Sequence, residues 1–318
     1  MTDAVTRVED SIVLCHLGVP RIATEDWALS ISGLVRKPSV LRFQDLLAKP
    51  HTRIEAVHQC AGNPLQPDAP SRRVCNVVWS GVRLAELIRD CEPQPEAKFV
   101  WSRGADYGIF EGVHCDTYLK DIPLVRLADD VLIALEMNGA PLRAENGFPA
   151  RLVVPGFYGT NSVKWITNIE LADRRPPGPF VTRWYNDPVR DKSGSFTGKT
   201  TPVWSIAPQS VIVRPVPNEV LNVGTEINVW GWAWGDGGIK TIELSFDSGM
   251  SWRHAAIVPG ASRAWQRYSL AWTPDSAGEH CIMARATGAG GSVQPLDGAR
   301  NAIHDVRVVA VHGPASIR

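Results

Sequence analysis

The sequence predicts an α+β chain: a mixed unit of strands and short helices over residues 1–200, then an immunoglobulin-like β-sandwich over 201–318. Three observations carry this. The apolar period changes near residue 200, a stretch of breakers precedes the change, and 318 residues make two domains at roughly 150 residues each. Apolar residues are 44% of the chain and charged residues 21%, which supports large cores and excludes a wholly disordered chain.

In the first part, Ile54 to Cys60 reads as a strand entering a turn, Ala61-Gly62-Asn63-Pro64. Leu84, Leu87, Ile88 and Cys91 fall at i, i+3, i+4 and i+7, one stripe of a helix. Arg151 to Val154 is a short β-rich run stopped by Pro155-Gly156. Val163, Trp165, Ile169 and Leu171 are expected on one face of a strand, with Lys164 on the other. From 174 to 200 the chain is rich in Pro, Gly, Ser and Lys, and it reads as a functional loop or linker.

Beyond residue 200 the period is two. Asn228, Trp230, Trp232 and Trp234 alternate with Ile227, Val229, Gly231 and Ala233. Ile242, Leu244 and Phe246 alternate likewise, turn at Asp247-Ser248-Gly249, and resume near Trp252 as a hairpin does. Tyr268, Leu270 and Trp272 repeat the pattern, as does Cys281 to Ala286. Short strands with regular turns predict a sandwich. Gly288-Ala289-Gly290-Gly291 lacks a strand-to-helix setting and reads as a turn.

Thirty-three basic residues balance 33 acidic ones. Without a basic surplus no nucleic-acid partner is expected. No run of 18 apolar residues occurs, so no membrane span is expected. The N-terminus shows no secretory signal, and a cytoplasmic location is the expectation if the chain is full length. The six cysteines include no CxxC pair, which argues against a zinc knuckle or a disulfide scaffold and leaves free thiols, one of them a candidate ligand.

The sharpest segment is His58-Gln59-Cys60-Ala61-Gly62-Asn63. It resembles the CAGN motif of the sulfite oxidase family of molybdopterin-dependent oxidoreductases. Other segments match that family in order: His16-Leu17-Gly18-Val19-Pro20, Trp79-Ser80-Gly81-Val82, Gly104-Ala105-Asp106, Gly147-Phe148-Pro149, Arg151 to Gly156, and Ser162-Val163-Lys164-Trp165. Gly231-Trp232-Ala233-Trp234 and Phe246-Asp247-Ser248-Gly249 resemble its dimerisation domain. The likeness runs from residue 12 to 310 or so.

The resemblance implies a molybdenum–molybdopterin cofactor in a sulfite-oxidase-type fold. Cys60 would be the metal ligand and a catalytic residue; a soft thiolate suits a metal that changes oxidation state. His16, Asp106, Asn146, Arg151, Ser162, Val163 and Lys164 would bind the cofactor, with Arg151 and Lys164 suited to its phosphate. Tyr185 stands where a catalytic tyrosine is sought, and Arg73 is a candidate to hold an anionic substrate. A homodimer through the C-terminal domain and an external electron carrier, a cytochrome or other, are also implied. No haem domain is expected in this chain.

The departures matter equally. Leu14, Pro64-Leu65 and Ile239 stand where the family has anion-holding arginines, and Asn146 replaces a pterin-binding histidine. Each charged hydrogen bond contributes about 1.5–3 kcal/mol, so losing three should weaken sulfite binding greatly. Arg72, Arg73 and Arg183 are the candidates to restore positive charge. The expected function is two-electron redox or oxygen-atom transfer on a substrate other than simple sulfite. The alternatives are genuine sulfite oxidation, or a non-catalytic scaffold that kept the fold.

Overall fold

The computed structural model describes residues 3–63, 73–128, 130–191, 193–297, 299–303 and 305–312. Its chain folds into two compact units. One comprises Arg7–Ala61 and Val77–Trp204; the other comprises Met1–Thr6, Gly62–Asn76 and Ser205–Arg318. The main division thus falls at Trp204, close to the change of period, while two N-terminal segments are counted with the C-terminal unit.

The first unit is built on two sheets. In one, Ala28–Gly33 pairs parallel with Ile166–Ala172 and antiparallel with Ser39–Arg42. Phe99–Gly104 and Leu119–Pro123 complete it on the other side. The second sheet runs Ala140–Pro141, Leu132–Met137, Val74–Arg83, Thr52–Gln59, and Arg151–Val153 also pairs with Leu132–Met137. Leu29, Ile31, Val100, Ile133, Leu152 and Ile169 are among the aliphatic side chains that form the core. The helix Leu84–Asp90 follows its stripe, burying Leu84, Leu87 and Ile88.

Two expectations are corrected here. The strand after Lys164 begins only at Ile166, because Trp165 takes a left-handed conformation with φ of 49°. That reversal breaks the alternation assumed across Val163 to Leu171. The stretch 174–200 is not a loop throughout. Pro179–Thr182 forms a helical turn with proline in its first turn, and Asn186–Arg190 pairs antiparallel with Phe196–Pro202 as a hairpin. This hairpin is exposed on most positions, so it has no apolar face for a period-two pattern to mark.

The second unit is a two-sheet sandwich. One sheet runs Gln209–Arg214, Ile227–Trp234, Gln266–Trp272, Ala256–Ile257; the other runs Val220–Asn222, Asp305–Val311, Gly278–Gly288, Ile239–Ser245, Arg253–His254. Its core takes the small-residue face of Ile227–Trp234, Val229 and Ala233, against Ile242, Leu244, Ile282 and Val308. Gly231 is required there, since a Cβ would collide with the Val211 carbonyl and the Tyr268 ring. The tryptophans point to the opposite face. Trp232 and Trp234 are covered by Trp265, and Arg267 lies over Trp230. Gly288 to Gly291 is a turn closed by the Gly291 N–H on the Gly288 carbonyl. No helix among the described residues is long and apolar enough to cross a membrane.

Candidate cofactor site

One cavity in the first unit gathers most of the chemistry-bearing side chains. It is a pocket that opens to solvent at its mouth. Cys60 reaches it because the strand Thr52–Gln59 ends one residue earlier. Arg151 and Lys164 are brought side by side by backbone pairing. The Leu152 N–H bonds the Val163 carbonyl at 2.8 Å, and the Ile166 N–H bonds the Ala150 carbonyl at 3.0 Å. Gly147, at φ of 109°, packs against both; a Cβ would lie 3.0 Å from that of Lys164 and 3.1 Å from that of Arg151.

The Arg151 guanidinium is locked. It donates to the carbonyls of Asn146 and Ser162, each at 3.0 Å, and lies over the Trp79 ring. Its Nη2 is also 3.5 Å from His58 Nε2. Burial, then the charges of Arg151 and Lys164, hold the His58 imidazole well below its usual pKa. Lys164 Nζ donates to Cys15 Sγ at 3.0 Å and to the Glu145 carbonyl at 2.8 Å, over the Trp165 ring. Burial lowers its pKa. Asp106 is buried, which raises its carboxyl to about 6, and its Oδ1 makes no hydrogen bond among the described residues.

On another part of the wall, Tyr185 Oη sits 2.7 Å from His16 Nε2. Burial lowers the His16 pKa, and the Lys164 charge adds to this. Burial pushes Tyr185 up to about 12, with Cys60 contributing. His16 is wedged edge-on against Phe110 and Phe180. Tyr118 closes the group through 2.7 Å between its hydroxyl and Thr160 Oγ1.

His16, Cys60, Asp106, Arg151, Ser162, Lys164 and Tyr185 therefore line one cavity. Asn146 and Val163 are buried beside it and contribute backbone groups: Asn146 holds Arg151, and Val163 pairs with Leu152. Arg73 is counted with the other unit, where it is exposed and its backbone N–H bonds Asn63 Oδ1 at 2.7 Å. Arg183 is exposed and lies over the Trp184 ring. Ile239 is buried in the sandwich core. Pro64, Leu65 and Arg72 lie outside the described residues. His58, Tyr118 and Thr160 also line the cavity and were not singled out from sequence. His58 alone had a cue, its position two residues before Cys60.

These residues fit a molybdopterin. Arg151 and Lys164 share the cavity lining with Asp106 and Glu145, and the guanidinium and ammonium donate to backbone carbonyls and to the Cys15 thiol. A guanidinium and an ammonium fixed side by side suit an anionic group such as a phosphate. The Asp106 Oδ1 can accept from a ring N–H, and a thiol at the wall is a donor for a soft metal.

Comparison with known proteins agrees. The family described as "oxidoreductase molybdopterin binding domain" matches residues 16–180, and the "Mo-co oxidoreductase dimerisation domain" matches residues 200–309. The mitochondrial sulfite oxidase of Drosophila melanogaster is 32% identical over 88% of this chain and 53% of its own length. The NADPH nitrate reductase of Aspergillus niger is 31% identical over 76% of this chain and 31% of its own. The chain thus spans about half the length of the first relative and under a third of the second. Among solved structures, the sulfane dehydrogenase SoxCD of Paracoccus pantotrophus superposes with a TM-score of 0.77 at 28% identity, covering 91% of this chain and 77% of that one. Fold and site define a molybdopterin-binding oxidoreductase fold with a dimerisation domain. The chain belongs to the sulfite oxidase family of molybdopterin oxidoreductases.

Proposed function

We propose that this chain is a molybdopterin-dependent oxidoreductase acting on a substrate less charged or larger than sulfite, and passing electrons to an external acceptor. The observation that carries the reading is the composition of the cavity wall. Its cations are Arg151 and Lys164, whose positions suit the cofactor, while Ile12, Leu14, His16 and Tyr185 are left to face a substrate. The bound cofactor supplies two-electron redox chemistry at its metal.

The chain's own residues divide the remaining work. Cys60 would ligate the metal through its thiolate. Arg151 and Lys164 would hold the anionic end of the cofactor, Arg151 with a guanidinium fixed by two carbonyls and Lys164 as a point charge. Asp106 would accept a hydrogen bond from the ring system. His16, kept neutral by burial, accepts the Tyr185 hydroxyl on Nε2 in the tautomer that carries its proton on Nδ1. Tyr185 keeps its proton at neutral pH; its oxygen can take a proton from the reacting group while its own O–H proton passes to His16 Nε2.

A homodimer through the C-terminal sandwich belongs to the same proposal, supported by the match to a dimerisation domain. Light scattering should give twice 34.8 kDa. The test of the function is metal analysis after expression in a host that makes the cofactor. One molybdenum per chain supports the enzyme; a metal-free chain that binds no cofactor overturns it.

A further inference from the structure

Lys120 is the least expected residue of the first unit. Its side chain is 1% exposed, and lysines are almost never fully buried unless paired. Its sequence neighbour Asp121 cannot serve. Successive residues of the strand Leu119–Pro123 point to opposite faces, and Asp121 accepts two hydrogen bonds from Arg175, at 2.7 and 3.0 Å. The elements packed on that strand, Phe99–Gly104, Gly159–Asn161 and Pro179–Thr182, contain no acidic residue. The ammonium instead donates to the Phe180 carbonyl at 2.9 Å and lies 5.1 Å from the centre of the Tyr185 ring.

Tyr185 is itself anomalous. It is a non-glycine residue at φ of 57°, a conformation that bulky side chains rarely adopt. Its ring also stacks on Phe180, the residue whose carbonyl Lys120 holds. Two unfavourable features, a buried ammonium and a left-handed tyrosine, therefore meet at one aromatic ring. The far edge of that ring carries the hydroxyl bonded to His16 Nε2 at the cavity wall.

We propose that Lys120 is a positioning residue for Tyr185: its ammonium, anchored on the Phe180 carbonyl, holds the ring from behind so that the phenol stays on His16. This rests on the reading of Tyr185 as the proton-handling group. The cation–π contact is strongest in such a desolvated setting. It exists only while Lys120 is charged. Burial lowers Lys120 to about 8, with Asp121 opposing and Arg175 reinforcing the shift, so the contact is present below that pH and lost above it. The titratable groups around it are Tyr118, Tyr185, Asp121 and Arg175. Both tyrosines stay protonated across this range because burial raises them.

The experiment uses the full chain with tyrosine labelled with ¹³C at the ring carbon that bears the hydroxyl. The five tyrosines give at most five lines, and Tyr185→Phe identifies the relevant one. In wild-type protein the Tyr185 line should shift with a midpoint near 8. In Lys120→Met it should be displaced and should not titrate. The molybdenum-loaded variant should keep its metal and turn over about tenfold more slowly below that midpoint. A purely structural lysine would leave turnover intact below the midpoint, and that result would overturn the proposal. So would a wild-type Tyr185 line that does not titrate near 8, a measurement that needs no folded variant at position 120. Full turnover in Tyr185→Phe would instead remove the role of Tyr185 itself, and the turnover arm with it.

Discussion

Tyr185 Oη and His16 Nε2 lie 2.7 Å apart although 169 residues separate them in the chain. The pair couples a phenol held protonated by burial to an imidazole held neutral by burial. His16 accepts only while unprotonated. Its folded pKa lies below 6.5, so the Tyr185 hydroxyl can donate to it at neutral pH, and the bond reverses, with the imidazolium as donor, as pH falls through that lower value. The stability sign agrees. Below 6.5 the unfolded chain takes up a proton that the folded site refuses, so stability falls as pH drops from 6.5 toward the folded pKa. Turnover of molybdenum-loaded protein should therefore show an acid limb. Tyr185→Phe should lower kcat by about 100-fold or more, the scale of a positioned proton donor. A profile flat into the acid range in both proteins would show that the pair handles no proton.

Cys60 is expected to be the protein's ligand to the metal. Cys60→Ser replaces a soft thiolate by a poor hydroxyl donor and should abolish activity and alter the visible absorption of the loaded protein. Cys15 provides the control, because it lines the same cavity but sits on Lys164 Nζ. Cys15→Ser should retain molybdenum. Retention of wild-type absorption by Cys60→Ser would transfer the role elsewhere.

Lys164 and Arg151 should separate in their effects. Each alanine variant should lower cofactor content, measured as molybdenum per chain. Arg151→Ala also strips the Asn146 and Ser162 carbonyls of their donor, at a cost of about 1–3 kcal/mol for each buried group left unsatisfied, so it should melt lower even without cofactor. Lys164→Ala frees one carbonyl, that of Glu145, but also removes a desolvated charge, so the cofactor-free variant should lose less stability than Arg151→Ala. Full cofactor content in Lys164→Ala would make its charge structural.

Much of this was legible where one pattern dominates locally. The stripe of Leu84, Leu87 and Ile88 gave the helix, and the run into Cys60 gave the strand that delivers it. The alternation from Ile227 to Trp234 gave a sandwich strand, but not which face is the core. The eye goes to the large tryptophans, whereas Val229, Gly231 and Ala233 are the ones close packing admits. The hairpin from Asn186 to Pro202 escaped because two exposed faces leave no apolar period. Tyr185 could not be placed by register, since only the left-handed backbone at that residue and the approach of His16 from the chain's start fix its hydroxyl. Lys120 gave no warning at all: nothing in a Leu-Lys-Asp-Ile run tells that both charged side chains are buried.

The last prediction concerns sulfite. A small dianion needs fixed positive charge in a partly dry site, where each missing charged hydrogen bond costs about 1.5–3 kcal/mol. The cavity offers Leu14 where the resemblance expects an arginine, and Arg151 and Lys164 are engaged by backbone carbonyls and the Cys15 thiol. Ile239 is packed in the sandwich core, so that position supplies no charge either. Steady-state kinetics of loaded protein with sulfite and an artificial one-electron acceptor should therefore give a low kcat/KM, and an organic sulfur or nitrogen oxide should do better. A value of about 10⁶ M⁻¹s⁻¹ or above with sulfite, in the range of efficient enzymes, would refute this. Arg73 and Arg183, both exposed, would then be the first residues to replace by alanine, because an anion site rebuilt from them must lose sulfite affinity in KM before it loses kcat.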